Sequence, residues 1–162
     1  MVFYLLPLSQ TVQLAQPFQA ENIIVFQSAQ LDLTPNPGRG HDNTSVNIFS
    51  AAGDILLTIS IRRAENAIVM NSLPASGNWG TEESVPLEGR FVNGGLNTTI
   101  TVYDHGDRFQ VLIDYNTIHY YAKRIQKNGT AVSYLTDQAS PFSNTLAVTT
   151  YKAFASIIPN GA

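Results

Sequence analysis

Apolar residues recur at spacing two along this chain, in short runs cut off by clusters of Gly, Pro, Asn and Asp, and no stretch of useful length carries a helical period. That pattern predicts an all-β fold, because successive side chains of a strand point to opposite faces and a sheet can bury every second residue. The expected strands are Phe3–Leu8, Ile23–Ser28, Ser45–Phe49, Ile55–Arg62, Ala67–Ser72, Glu83–Leu87, Thr99–Asp104, Arg108–Tyr115, Thr117–Arg124, Val132–Tyr134 and part of Leu146–Ile158. About eleven short strands separated by turn signals fit a two-sheet antiparallel β-sandwich. The longest loop signals, Pro35–Gly40 and Pro74–Gly80, are followed at once by renewed strand pattern, so residues 1–162 are read as a single domain.

Charge and composition remove several kinds of function. Lys+Arg 9 against Asp+Glu 12 leaves a net charge of −3, which argues against nucleic-acid binding and against attraction to an anionic membrane. With Cys 0 there is no disulfide framework, thiolate metal site or cysteine nucleophile. The opening MVFYLLPL has no preceding Lys or Arg, and Pro7 followed by Ser9-Gln10-Thr11 ends the run too early for a secretory signal. It is read as the first strand. No stretch approaches the roughly 20 apolar residues of a membrane helix, so no membrane insertion is expected. Sequons at Asn43, Asn97 and Asn128 are read as turn chemistry. Cytosolic synthesis is expected, with any extracellular or cell-wall location reached by unconventional export.

The run Ile55-Leu56-Leu57-Thr58-Ile59-Ser60-Ile61-Arg62 carries branched aliphatics at its odd positions, whereas its even positions are Leu56, Thr58, Ser60 and Arg62. One face is read as core and the other as mostly polar. If Arg63-Ala64-Glu65-Asn66 is a four-residue loop, Thr58 faces Asn71, Ser60 faces Val69 and Arg62 faces Ala67. Thr58, Ser60, Arg62 and Asn71 then share one surface. The next loop holds the protein's one tryptophan, Trp79, with Glu82, Glu83 and Ser84 close behind. Fixed donors and acceptors suit sugar hydroxyls, and an aromatic plane suits the C–H face of a pyranose. The same features also suit the polar outer face and core tryptophan of any β-sandwich.

Other clusters have simpler explanations. Asp104-His105-Gly106-Asp107 is read as a hairpin turn, with Gly106 at positive φ and the Asp side chains bonding local amides, and not as a metal site. Glu82 and Glu83 are adjacent on a strand and face opposite ways, so they cannot flank one glycosidic bond as a hydrolase pair. Asp54, Glu65 and Glu88 offer Glu82 no convincing catalytic partner. His41 and His119 are solitary. Tyr115, His119, Tyr120 and Tyr121 with Lys123, Arg124 and Lys127 read as core plus rim, because consecutive tyrosines face both sides of a strand.

The segments LLTISIRRAENAIVMNS, NWGTEESVPLEGRF and ITVYDHGDRFQVLIDY resemble the galectins, and most closely the galectin-related lectins of mushrooms. NIIVFQSAQLDL, DNTSVNIFSAAGDILL and TIHYYAKRI extend the likeness over nearly the whole chain. The resemblance implies a galectin-like jelly roll, related to the concanavalin-type sandwich, and a non-catalytic lectin. In that family one strand carries His-x-(Asn or Ser)-x-Arg, the next an Asn, and a later loop Trp-x-x-Glu-x-Arg. By resemblance Ser60, Arg62, Asn71, Trp79 and Glu82 fall on family positions. Thr58 stands where histidine is expected and Ser84 where the second arginine is expected.

These departures bear on the ligand. The resemblance implies that the histidine and first arginine hold the axial O4 of galactose, and that the second arginine extends the charged network toward the adjoining sugar. Losing charged or strong hydrogen bonds costs about 1.5–3 kcal/mol each. Millimolar binding has only about 4 kcal/mol in total, so weak or absent binding to simple β-galactosides is expected. Arg62 and Glu82 would each lose a partner and be free to rearrange. LDLTPNPG and VPLEGRF are more similar to a mushroom relative that prefers chito-oligosaccharides and N-acetylgalactosamine-containing disaccharides, although that relative lacks the tryptophan. The expected ligand is therefore a glycan with β-linked N-acetylhexosamine; the alternatives are a weak β-galactoside lectin and a protein-interaction module on the same fold. Asn43 and Asn47 are candidates for contacts to a second sugar, or simply turn and sheet residues. No cofactor is implied, and the resemblance suggests a homo-oligomer, as a tetramer, with the apolar run Phe154–Ile158 available for an interface or for the core.

Overall fold

The computed structural model describes residues 1–36, 38, 42–137 and 142–153. His41 and Phe154–Ile158 lie outside them. The strands are β1 Val2–Pro7, β2 Thr11–Phe18, β3 Ile23–Gln30, β4 Asn43–Phe49, β5 Ile55–Arg62, β6 Ala67–Leu73, β7 Glu83–Pro86, β8 Leu96–Asp104, β9 Arg108–Ile113, β10 Asn116–Ala122, β11 Gly129–Thr136 and β12 Thr145–Tyr151. They form two 6-stranded antiparallel sheets, ordered β1-β12-β3-β8-β9-β10 and β2-β11-β4-β5-β6-β7. The all-β sandwich expected from the period-two pattern is the architecture observed. Among the described residues there is no helix long and apolar enough to cross a membrane.

Alternation builds the core between the sheets. Ile24, Phe26, Ile100, Val102, Val111 and Val148 point inward from one sheet, and meet Val46, Ile48, Leu57, Ile59, Ile61, Ile68, Met70 and Val132 from the other. Each such side chain, fully buried, contributes about 1.5–3 kcal/mol relative to exposure. The polar residues between them are forced to the outer faces, and this places the site.

Four sequence expectations change. Strand β2 was not foreseen: Val12 and Leu14 alternate inward, but its other residues are mostly exposed and it pairs with β11 alone, as an edge strand does. Ile55 does not join the core. A bulge between Ile55 and Thr58 reverses the alternation, burying Leu56 and turning the half-buried Ile55 toward the outer groove. Tyr115 is not in a strand, because Asp114 and Tyr115 both adopt positive φ, 48° and 65°, in the tight β9–β10 turn. Asn43 is in a strand and not a turn. Asn97 likewise falls within β8, near its start, with φ 50°, a left-handed conformation that asparagine tolerates better than most residues.

The β8–β9 hairpin matches its reading. Gly106 has φ 94° and donates its N–H to Asp104 Oδ1 at 2.7 Å, and Lys123 caps the same carboxylate at 2.7 Å.

Candidate functional site

The β5–β6 hairpin has the expected register: Thr58 pairs with Asn71, Ser60 with Val69 and Arg62 with Ala67. Strand β4 continues each row, with Asn47 beside Thr58, Ser45 beside Ser60 and Asn43 beside Arg62. The outer side chains of β4, β5 and β6 form the floor of a groove of about 380 Å³, walled by Trp79, Gly80 and Glu82 on one side and Leu135 on the other. Asn43, Asn47, Thr58, Ser60, Arg62, Asn71, Trp79 and Glu82 are thus brought together. Ser84 is not. Its register opposite Val69 puts it on the same sheet face, but it is exposed and does not line the groove.

Charge is concentrated at one end. Arg62 donates from Nη1 to Glu82 Oε2 at 3.1 Å and from Nη2 to Glu82 Oε1 at 3.2 Å, and Glu65 lies 3.5 Å from Nη1. Arg62 and Glu82 therefore stay coupled to each other despite the serine at position 84. The Glu82 side chain is 50% exposed, so this pair contributes no more than about 1 kcal/mol to stability. Its effect is to fix the planar guanidinium. Arg62 Nε and Ser60 Oγ are buried and find no hydrogen-bond partner among the described residues.

The middle of the floor is neutral. Asn71 is 4% exposed and tightly held: its Oδ1 accepts from Arg124 Nη1 and from the Ser72 N–H, both at 2.8 Å, and its Nδ2 donates to Gly80 O at 2.8 Å. Asn47 Nδ2 donates to Ser133 Oγ at 3.1 Å. Thr58, between these two amides, is 8% exposed and brings no charge.

The Trp79 loop leaves β6 through a turn in which Gly77 N–H bonds Pro74 O, and Gly80 N–H returns to Ser72 O at 3.3 Å. Asp54 pins its stem by accepting the Ala75 N–H at 3.0 Å. Hydrogen bonds from Lys127, Ser50 and Ala75 hold the Asp54 carboxyl well below the usual carboxylate range. Trp79 itself is 50% exposed, so it is an accessible surface and not a core side chain. Glu83 faces away from Glu82, toward His119 Nε2 at 2.8 Å and Arg124 Nη2 at 2.9 Å. Burial alone would raise its pKa; those two hydrogen bonds outweigh burial and lower it. The adjacent glutamates thus serve separate networks. Among the described residues no group of three or more His, Cys, Asp or Glu could hold a metal ion.

Several lining residues escape sequence reasoning. Ser45 and Phe49 share the period of Asn43 and Asn47, and that alternation could have found them. Ile55 depends on the bulge and Leu135 on the sheet order; Arg124, which does not line the groove, reaches Asn71 and the loop from beyond β10 of the other sheet.

An antiparallel sandwich with a polar, partly charged groove beside an exposed tryptophan has the features that a carbohydrate-binding β-sandwich needs. Residues 10–139 match the family described as galactoside-binding lectin. The chain is 42% identical over 147 residues to Galectin-1 of Coprinopsis cinerea, covering 91% of this chain and 92% of that one. It is 36% identical over 148 residues to the anti-tumor lectin of Cyclocybe aegerita, covering 90% and 92%. The crystal structure of Caenorhabditis elegans galectin LEC-6 superimposes with TM-score 0.66 over 91% of this chain and 95% of that one, at 13% identity, a likeness of fold. The chain belongs to the galectin family, with fungal galectins among its relatives, and is a non-catalytic carbohydrate-binding lectin.

Proposed function

We propose that the groove binds glycans carrying β-linked N-acetylhexosamine, chito-oligosaccharide or N-acetylgalactosamine-terminated, in preference to lactose. Trp79 stacks on the C–H face of the sugar; Arg62, Ser60, Asn71 and Glu82 bond hydroxyl or acetamido groups, and Asn43 and Asn47 reach a second residue. The observation that carries the reading is the neutral row Asn47–Thr58–Asn71, which lacks a histidine for an axial hydroxyl and leaves space above Thr58. Ser84, outside the groove, supplies no second guanidinium. Two missing bonds of about 1.5–3 kcal/mol each can remove millimolar lactose binding.

A second reading, weak β-galactoside binding, is favoured by the intact Arg62–Glu82 pair. Because a single shallow groove binds weakly, we further propose a homo-oligomer, as a tetramer, that gains avidity from several sites. A glycan array with lactose, N-acetyllactosamine, N-acetylgalactosamine-terminated disaccharides and chito-oligosaccharides separates the readings. Selective binding to the N-acetylhexosamine set supports the first, lactose binding of equal strength supports the second, and silence points to a protein-interaction module.

A further inference from the structure

Arg124 lies two residues beyond the end of β10, on the sheet opposite the groove, yet its side chain crosses to the groove's rim. Its Nη1 donates to Asn71 Oδ1 at 2.8 Å, and its Nη2 donates to Thr81 O at 2.5 Å and to Glu83 Oε2 at 2.9 Å. The guanidinium carbon sits 4.9 Å from the centre of the Tyr121 ring, and Tyr121 OH is in turn 2.5 Å from Ser72 Oγ. One planar cation therefore bonds a floor side chain, the backbone of the Trp79 loop and the first residue of β7. Gly80 records how close the approach is: a Cβ there would come 2.5 Å from Arg124 Nη1 and 3.3 Å from Asn71 Oδ1.

We propose that Arg124 is the positioning residue of the sugar groove, clamping the Trp79 loop and setting Asn71 as a hydrogen-bond donor toward the ligand. The inference rests on the groove being the glycan site. A carboxamide has one oxygen with two lone pairs and a nitrogen with two N–H groups. In Asn71 the oxygen already accepts from Arg124 and Ser72, and one N–H is spent on Gly80 O. A single N–H remains to be offered. That matches an acceptor-only group, the acetamido carbonyl of an N-acetylhexosamine, as well as a hydroxyl oxygen. Arg124 acts through Asn71 and the loop and does not itself line the groove. It also brings a guanidinium from the segment after β10 to the Trp79 loop, where it bonds Glu83 while Arg62 bonds Glu82.

The test uses the full chain, in which Trp79 is the one tryptophan, so fluorescence quenching by acrylamide reads the loop directly and needs no sugar. Arg124→Met should roughly double the quenching rate constant and weaken triacetylchitotriose binding about tenfold, the scale of one charge-assisted hydrogen bond. The melting temperature should shift by no more than about 4 °C. Arg124→Lys should recover part of the affinity, since an ammonium can serve one acceptor at a time but not the whole fork. Gly80→Ala, which displaces the guanidinium without removing it, should reproduce the increased quenching, and decides the matter if Arg124→Met does not fold. Unchanged quenching and unchanged affinity in Arg124→Met would overturn the clamp. Absence of triacetylchitotriose binding by the unmodified chain would instead overturn the chito-oligosaccharide reading of the groove, with quenching still deciding the role of Arg124.

Discussion

The two outer faces of the sandwich differ in an unexpected direction. The groove over β4, β5 and β6 measures about 380 Å³, whereas the hollow over β3, β8, β9 and β12 on the other sheet measures about 620 Å³. The larger hollow is lined by Ile23, Val25, Leu112 and three tyrosines, with glutamines and threonines but no charged side chain among the described residues. The smaller one holds a guanidinium paired to a carboxylate, two amides fixed by their own hydrogen bonds, and an exposed indole. Volume therefore does not locate the sugar site. Hydroxyl recognition needs donors and acceptors already held in place, because groups ordered only on binding spend their interaction energy on that ordering. Among the described residues the groove face combines such groups with a charged pair and an exposed indole, whereas the hollow has Gln110, held by His105 and Thr117, but no charged side chain in its lining.

The contrast is broken most sharply at Trp79. Trp79→Ala should weaken glycan binding by at least about tenfold, to below detection for a millimolar ligand, while the half-exposed position leaves the melting temperature nearly unchanged. Calorimetric titration beside a thermal melt checks both halves. A gain of function comes next. Thr58→His combined with Ser84→Arg should raise lactose affinity by roughly tenfold, the value of one restored charged hydrogen bond, measured by competition against immobilised lactose. No gain would show that the loop geometry does not present position 84 to the sugar.

A smaller effect is expected with acid. Asp54 and Glu83, which anchor the stem and the far end of the Trp79 segment, both have lowered carboxyl pKa values. A carboxylate whose folded pKa is depressed stabilises the fold above its unfolded value and loses that contribution as pH falls. Stability should be flat near neutrality and decline below about pH 4, with a shallower decline in Asp54→Asn, as followed by thermal melts across pH. The smallest effect belongs to the opposite face. Tyr115→Ser should leave glycan binding unchanged, and a loss there would mean that the larger hollow also takes sugar.

What could be read from the sequence follows from range. The β5–β6 register was legible because a short loop fixes pairing locally, and one alternating run then names Thr58, Ser60, Arg62 and Asn71 together. Trp79 and Glu82 stood out because an aromatic and a carboxylate lay in a loop and not in an alternating run. Strand β2 was missed because Gln16 and Pro17 interrupt the alternation of Val12, Leu14 and Phe18, and proline in a strand is tolerated at an edge. The bulge at Ile55 was missed because alternation assumes unbroken pairing. Arg124 and Leu135 could not be found at all, since both reach the site through sheet order and the contact between sheets, which no local pattern records.

The most direct test of the account is backbone-amide and indole chemical-shift mapping during parallel titrations with triacetylchitotriose and lactose. The account predicts saturable shifts at Thr58, Ser60, Arg62, Asn71 and the Trp79 indole with the chito-oligosaccharide, and little or no response to lactose. Shifts centred on Val25, Leu112 and Tyr115, or a stronger response to lactose at the groove, would contradict it.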